Sequence, residues 1–166
     1  MTGEVEKLID AGQKALAVYD YKGALSKFKK ALKLDENNPE AHFGYAEASL
    51  GIEKIPAEEI IEHYKKAIEG NPQNAFYHAR LGAFLLDIGQ YDEAEKYYAR
   101  AAELDPEGHA YYWSELAIGY YQNWLSANGE DASPEEEERV IARTIEYLLR
   151  SINIDKERAL EILQKN

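Results

Sequence analysis

A periodicity of about 34 residues is the strongest constraint on the fold of this chain. Pro39, Pro72 and Pro106 lie 33 and 34 residues apart, and each follows polar, turn-forming residues of the kind that end a helix. Upstream of each proline, an apolar residue, an aromatic residue and an alanine recur with spacings of four and three. These trios are Ala24, Phe28 and Ala31, then Ile60, Tyr64 and Ala67, then Ala94, Tyr98 and Ala101. Because such spacing places each trio on one helical face, the chain is predicted to consist of repeated helical units.

Each unit also contains an earlier helix whose small residues allow two backbones to approach closely. The first three units carry this stripe at Leu8, Ala11, Gly12 and Ala15, at His42, Tyr45, Ala46 and Ser49, and at His78, Leu81, Gly82 and Leu85. A short turn, such as Gly89-Gln90-Tyr91 in the third unit, joins the two helices of a unit. The pattern therefore predicts an antiparallel helix pair in each unit.

The fourth unit departs from this period. Its first helix is striped by Trp113, Leu116, Ala117 and Tyr120, but the matching second stripe of Thr144, Leu148 and Ser151 comes about fifteen residues late. Ser133-Pro134-Glu135-Glu136 has the pattern of an N-cap, an N1 proline and a capping box. Asn128-Gly129 is typical of a helix end. We therefore predict two long helices, about 110–127 and 134–153, around a short acidic loop.

The units resemble tetratricopeptide repeats, whose pattern runs W-x2-L-G-x2-Y, then A-x3-F, then P. In the third unit His78-x2-Leu81-Gly82-x2-Leu85, Ala94-x3-Tyr98 and Pro106 fill most of these positions. The resemblance implies an all-α fold, a right-handed α-solenoid of about four helix-turn-helix repeats plus a C-terminal capping helix, in a single domain over 1–166. The repeats are predicted at about 5–38, 39–74, 75–108 and 109–155, and the capping helix at 156–165.

Composition restricts the partners and the chemistry. The formal charge of −12 disfavours binding to nucleic acid or to an anionic membrane surface. The chain has no cysteine, and its polar N-terminal stretch does not resemble a signal peptide, so a cytoplasmic location is expected. His42, His63, His78 and His109 form no zinc-binding motif, and no phosphate-binding loop occurs. We expect no enzymatic activity, no cofactor and no metal site, with His42 and His78 filling space between helices.

In this family the first helix of each repeat lines a concave surface that binds ligands. The residues predicted to face it are Asp10, Gln13, Phe43, Glu47, Phe76, Arg80, Ala83, Tyr111, Glu115, Ile118 and Gln122. Three of them are aromatic, and Arg80 is the only cation. Such a groove is predicted to hold a peptide segment of another protein that offers apolar side chains, basic side chains or both. The leading hypothesis is therefore a protein-interaction adaptor or scaffold.

The best-known ligands of the family are the acidic C-terminal tails of chaperones, held by a clamp of Lys, Asn and Arg. The corresponding positions here are Ile9, Gln13, Gly44, Phe76 and Arg80, of which Arg80 alone matches. Because an acidic groove repels an acidic tail, the prediction is that chaperone tails are not the ligand.

A second apolar stripe on the first helix of the fourth unit bears on self-association. Tyr111, Ile118, Tyr121 and Leu125 lie roughly opposite the packing stripe. Either the long second helix covers this stripe, which we favour, or a partner does. The alternative function is accordingly a self-assembling module that forms homo-oligomers through the aromatic fourth repeat or the C-terminal helix.

Overall fold

The computed structural model of the chain describes residues 2–128 and 131–164, and all its secondary structure within those ranges is helical. The helices are α1 (Thr2–Ala17), α2 (Tyr21–Leu34), α3 (Pro39–Ser49), α4 (Ala57–Gly70), α5 (Ala75–Asp87), α6 (Tyr91–Leu104), α7 (His109–Asn128), α8 (Pro134–Ser151) and α9 (Lys156–Gln164). The helix pairs expected from the 34-residue period are confirmed. Backbone contacts divide the chain into two compact units, Met1–Tyr77 and His78–Asn166.

The core of the first unit is built around the ring of Phe28, on α2. The Phe28 side chain is completely buried, and its ring lies against both Gly12 of α1 and Gly44 of α3. Both glycines are needed here because a Cβ atom at Gly12 would lie 2.6 Å from the ring, and one at Gly44 would lie 2.2 Å from it. Ala24 and Ala31, one turn away on either side, are also fully buried. The stripe of small and aromatic residues thus fixes the distances between α1, α2 and α3.

A pair of histidines joins α3 to α4 in the first unit. The His42 side chain is 5% exposed, and each of its ring nitrogens has a hydrogen-bond partner. Nε2 lies 2.9 Å from the Glu36 carbonyl oxygen, and Nδ1 lies 2.9 Å from His63 Nδ1. Since a carbonyl oxygen can only accept, His42 Nε2 carries the proton, and His63 Nδ1–H donates to His42 Nδ1. The His63 ring also stacks on Tyr45, with centroids 3.7 Å apart. The pair is compatible with two neutral rings but not with two protonated ones.

This pairing predicts an acid-sensitive first unit. Burial first, and then the charges of His42 and Lys66, lower the pKa of His63 from 6.5 to about 4, while Glu59 and Glu62 oppose the shift. His63 takes up a proton at a higher pH in the unfolded chain than in the folded protein. The stability that the neutral His63 contributes is therefore fully present above pH 6.5 and is lost as the pH falls toward 4. Since the ring keeps some contact with solvent, we expect the loss to be about 2 kcal/mol.

The measurement is the free energy of unfolding by urea between these two pH values. We expect His63→Phe, which keeps a ring against Tyr45, to flatten the pH dependence relative to the unchanged chain. Carboxylates titrate in both proteins, so the difference between the two curves isolates the histidine. Parallel curves would show that His63 does not titrate in this window.

The second unit is organised around the two long helices, α7 and α8, which contain 20 and 18 residues. Their predicted lengthening is confirmed, and so is the capping box: Ser133 Oγ accepts from the Glu136 N–H, and the Glu136 side chain accepts from the Ser133 N–H. Gly129, part of the predicted helix-stop signal, lies outside the described residues. Trp113, Leu116 and Tyr120 are buried as the packing stripe requires.

Helix α8 is anchored to the rest of the second unit by its basic and aromatic side chains. The Tyr147 side chain is 1% exposed and packs edge-on to the Tyr120 ring of α7. The Arg143 guanidinium lies 5.2 Å from the Tyr120 ring centroid, and that of Arg150 lies 4.9 Å from the Trp113 ring centroid. These cation–π contacts add to the apolar burial that holds α8 on α7.

Helix α9 is predicted to cap the stack, and its described residues leave apolar surface open. None of them is buried, and Leu160 and Leu163 are 47% and 74% exposed. On the neighbouring α8, Ile145 and Leu148 are half exposed. Lys165, the predicted last residue of the cap, lies outside the described residues.

Candidate functional site

A cleft in the second unit brings together six of the residues predicted to bind a peptide. It has a volume of about 480 Å³ and lies among α5, α6 and α7. We call it the α5–α7 cleft; the predicted residues that line it are Arg80, Ala83, Tyr111, Glu115, Ile118 and Gln122, and the others are Leu86, Asp87, Tyr98, Ser114 and Gly119. These side chains meet because residues three, four and seven positions apart on α7 share one helical face opposite α5.

The rim of the α5–α7 cleft is apolar and accessible. The side chains of Tyr111 and Ile118 are 62% and 53% exposed. Tyr111 packs edge-on to Tyr112, which holds its ring at the surface. Large apolar groups held at the surface beside polar ones are typical of protein-binding sites.

The α5–α7 cleft also contains polar and acidic groups. The Tyr98 side chain is 1% exposed, and its hydroxyl lies near the Glu115 carboxylate without forming a hydrogen bond of normal length and angle to any described residue. Burial, and then the charge of Glu115, raise the pKa of the Tyr98 phenol. The same Glu115 carboxylate is the largest cause of the raised pKa of Tyr111. The Glu115 carboxylate therefore lies close enough to act on both phenols.

The predicted residues of the first unit lie in a different setting. The Phe43 ring stacks on Tyr77 with centroids 4.6 Å apart, and it lies 5.5 Å from the ring of Phe76, which is 56% exposed. We call these three residues the aromatic patch. The Glu47 carboxylate accepts a hydrogen bond of 2.6 Å from the Tyr64 hydroxyl. The Phe43 and Phe76 rings are therefore neighbours.

Helix α1 places two further predicted residues at the surface. Asp10 and Gln13 are exposed, and Asp10 forms an ion pair of 2.7 Å with Lys14 one turn later. Two positions that the family resemblance assigns to a clamp are instead buried: Ile9 is 5% exposed, and Gly44 lies against Phe28. These two positions belong to the core of the first unit.

The expectation that α8 covers the second apolar stripe of α7 is wrong for most of that stripe. Leu125, Ile118 and Tyr111 are 48%, 53% and 62% exposed. Of the four residues in the stripe, only Tyr121 is partly buried. Helix α8 packs instead on the Trp113 and Tyr120 face, because its aromatic and basic side chains contact those rings. The stripe is therefore open to solvent.

Neither a metal site nor a membrane span is found among the described residues. No group of three or more histidine, aspartate or glutamate side chains within 2–128 and 131–164 is placed to hold a metal ion. None of the described helices combines the length and the apolar character needed to cross a membrane. His42 and His78 are both buried, in keeping with the packing role expected for them.

Family models decide what kind of protein this is. Two tetratricopeptide repeat models match the chain, one over residues 63–96 and the other over residues 9–75 and 80–123. The chain is a tetratricopeptide repeat protein. The matched residues extend from α1 into α7, so they include both the aromatic patch and the α5–α7 cleft.

Several proteins are similar to the chain in sequence. The chain is 31% identical over 103 residues to Small glutamine-rich tetratricopeptide repeat-containing protein 2 of Mycosarcoma maydis, which covers 62% of this chain and 29% of that protein. It is also 31% identical over 132 residues to the Photosystem I assembly protein Ycf3 of Synechococcus elongatus, with 71% and 72% covered. The chain therefore spans less than a third of the first relative and nearly three quarters of the second.

Solved structures agree with the fold. MamA superposes with a TM-score of 0.69 at 19% identity, over 96% of this chain and 81% of MamA. The first repeat domain of Spaghetti (RPAP3), bound to the HSP90 peptide SRMEEVD, superposes with a TM-score of 0.63 at 20% identity, over 76% and 95%. At these identities the likeness establishes the tetratricopeptide repeat fold of this chain and nothing about its ligand.

Proposed function

We propose that this tetratricopeptide repeat protein is an adaptor that binds a peptide segment of another protein in the α5–α7 cleft. The observation that carries the proposal is the exposure of Tyr111 and Ile118 at the rim of a cleft that also contains the carboxylates of Asp87 and Glu115. Tetratricopeptide repeat proteins mediate protein–protein interactions, and the Spaghetti domain holds an HSP90 peptide. The ligand proposed here differs in charge, because the cleft carries Asp87 and Glu115 and only one basic residue, Arg80.

The aromatic patch is proposed as a second contact surface for the same class of ligand. The rings of Phe43 and Tyr77 stack on each other. The Phe76 ring packs against Phe43 of this pair, and about half of its side chain is accessible. An aromatic side chain of this kind contributes buried area at little cost in conformational entropy. The two surfaces are tested separately, by Phe76→Ala and by Tyr111→Ala.

A random peptide library displayed on phage provides the first measurement. We expect the selected sequences to be enriched in aromatic, aliphatic and basic residues and poor in acidic ones. The HSP90 peptide SRMEEVD serves as the acidic comparison and is expected not to compete. Selection of acidic sequences, or of none, would contradict the proposed function.

The second measurement is the affinity of the selected peptide by calorimetry. Tyr111→Ala is expected to weaken binding by about 2 kcal/mol, or about thirtyfold, because it removes an apolar side chain at the rim. Tyr19→Ala is the matched control, since Tyr19 is 77% exposed on the turn between α1 and α2. Equal losses for the two variants would show that the cleft is not the binding surface.

Self-assembly is the second candidate, and the open apolar surface of α8 and α9 favours it. Ile145 of α8, Ile152 of the turn after it and Leu163 of α9 are 50%, 62% and 74% exposed. Sedimentation at physiological salt distinguishes the two candidates, because an adaptor that acts as a monomer has a mass of 18.9 kDa and an assembled module has a multiple of it.

A further inference from the structure

The hydroxyl of Tyr98 differs from its counterpart in the preceding repeat. Tyr64 and Tyr98 occupy the same position of the 34-residue period, and the Tyr64 hydroxyl donates a hydrogen bond of 2.6 Å to Glu47. Glu47 follows Tyr45 by two residues, and the equivalent residue after Leu81 is Ala83. An alanine offers no acceptor, so the third repeat lacks the hydrogen bond that Glu47 accepts in the second.

The unpartnered hydroxyl of Tyr98 faces the α5–α7 cleft. Its side chain is 1% exposed and lines the cleft, and its hydroxyl has no hydrogen-bond partner among the described residues. The charged groups that act on it are Glu115 and Asp87, both of which line the same cleft. Leaving a buried hydroxyl without a well-formed hydrogen bond is unfavourable, and a bound ligand can recover this free energy by ordering the groups around it.

The charged groups of the cleft determine whether it binds a cationic or an anionic ligand. Glu115 is partly buried, and neither Glu115 nor Asp87 takes part in an ion pair among the described residues. Arg80, the basic residue of the cleft, takes part in an interaction within the chain. A cation that enters the cleft would therefore meet two carboxylates whose charge is not neutralised by an ion pair.

We propose that the α5–α7 cleft is a recognition pocket for a basic side chain, with Glu115 and Asp87 as its anionic ligands and Tyr98 as a positioning residue. The ammonium or guanidinium group binds the two carboxylates, and the aliphatic stem lies against Ile118 and Tyr111. Once Glu115 is fixed by the cation, the Tyr98 hydroxyl donates to its carboxylate. This inference rests on the proposed function and narrows it, since it names the ligand residue that the cleft reads.

Single amino-acid derivatives test the pocket without any peptide. The probes are the methylamides of Nα-acetyl-lysine and Nα-acetyl-arginine, whose side chains keep their positive charge. The methylamide of Nα-acetyl-norleucine is the neutral control. Binding is followed by nuclear magnetic resonance of the whole chain labelled with ¹⁵N. We expect the basic probes to shift the amide signals of Ser114, Glu115 and Gly119, and to bind about fivefold or more tightly than norleucine. The Lys and Arg arms show which basic group fits better.

Variants assign the effect to the named residues. Glu115→Gln should weaken lysine binding about fivefold, and Glu103→Gln, on an exposed ion pair of α6, should leave it unchanged. Asp87→Asn provides an independent second test in case Glu115→Gln disturbs folding. Tyr98→Phe should cause a smaller loss and should also make the remaining affinity less dependent on Glu115.

Two outcomes would overturn the pocket: equal binding of norleucine and the basic probes, or no effect of either carboxylate variant. These results are separable from a failure of the adaptor function. If the library yields no ligand while lysine binds through Glu115, the pocket holds and the peptide proposal fails. If peptides bind but the basic probes do not, the adaptor proposal holds and the pocket is wrong.

Discussion

Gly44→Ala is expected to lower the free energy of unfolding by about 2–3 kcal/mol. In a solvent-exposed helix the same change stabilises by up to about 1 kcal/mol, because alanine is the better helix former. At this position the added Cβ would lie 2.2 Å from two atoms of the Phe28 ring. Phe28 is fully buried and Gly12 also lies against its ring, so the ring cannot move away without opening the α1–α2–α3 core.

Gly3→Ala is the matched control, since Gly3 also lies in a helix and no atom within 4 Å would meet its new methyl group. We expect it to be neutral or slightly stabilising in the same urea titration. A double-mutant cycle with Phe28→Leu then identifies the clash. Because the smaller leucine makes room, the combined variant should be more stable than the sum of the single losses by about 1 kcal/mol or more. Stabilisation by Gly44→Ala would show that α3 does not pack on Phe28 in this way.

Gly44 also shows where the repeat pattern was sufficient and where it was not. The 34-residue period predicted the helix pairs and the trio that contains Phe28, because spacings of three and four determine a helical face without knowledge of the neighbours. Aligning the chain to the family clamp placed Gly44 on the ligand-facing surface. Which face of α3 meets Phe28 depends on the packing angle between helices, and a single sequence does not contain that angle.

The α5–α7 cleft was predictable in part for the same reason. Tyr111, Glu115, Ile118 and Gln122 follow from the periodicity of α7 alone. Tyr98 was assigned to packing from its place in the trio, and that assignment is correct for its ring. Its hydroxyl becomes important only because Ala83 replaces the acceptor found at Glu47. A comparison of equivalent positions between repeats, rather than along one helix, could have found this signal.

The 34-residue sequence pattern does not predict the contacts that position α8. Removing these contacts is the second substitution from which we expect a large loss of stability. Glu95→Ala is expected to destabilise the protein by about 2–3 kcal/mol. The Glu95 carboxylate, on α6, accepts hydrogen bonds from the Tyr147 hydroxyl at 2.7 Å, Arg143 Nη2 at 3.0 Å and Arg150 Nη1 at 3.0 Å. All three donors lie on α8, more than 45 residues later, and α8 is the element that departs from the 34-residue period.

The electrostatic environment of Glu95 explains why the expected destabilisation is this large. Burial by itself would raise the pKa of Glu95, but the hydrogen bonds from Tyr147 and Arg143 and the charges of both arginines lower it below its ordinary value. The carboxylate is thus more stable as an anion in the folded protein than in the unfolded chain. Its removal leaves the Tyr147 hydroxyl, on a side chain 1% exposed, without its acceptor and takes the shared counterion from two arginines.

Glu103→Ala on the same helix provides the control for this prediction. Glu103 is also ion-paired, with Arg100 at 2.8 Å, but its side chain is 65% exposed against 26% for Glu95. An exposed pair of this kind contributes at most about 0.5 kcal/mol, because water screens it in the folded protein. Glu95→Gln should fall between the two, since the amide oxygen still accepts from Tyr147 while the charge is lost. Equal losses for Glu95→Ala and Glu103→Ala in urea titrations would show that α8 is held by its apolar contacts with α7 alone.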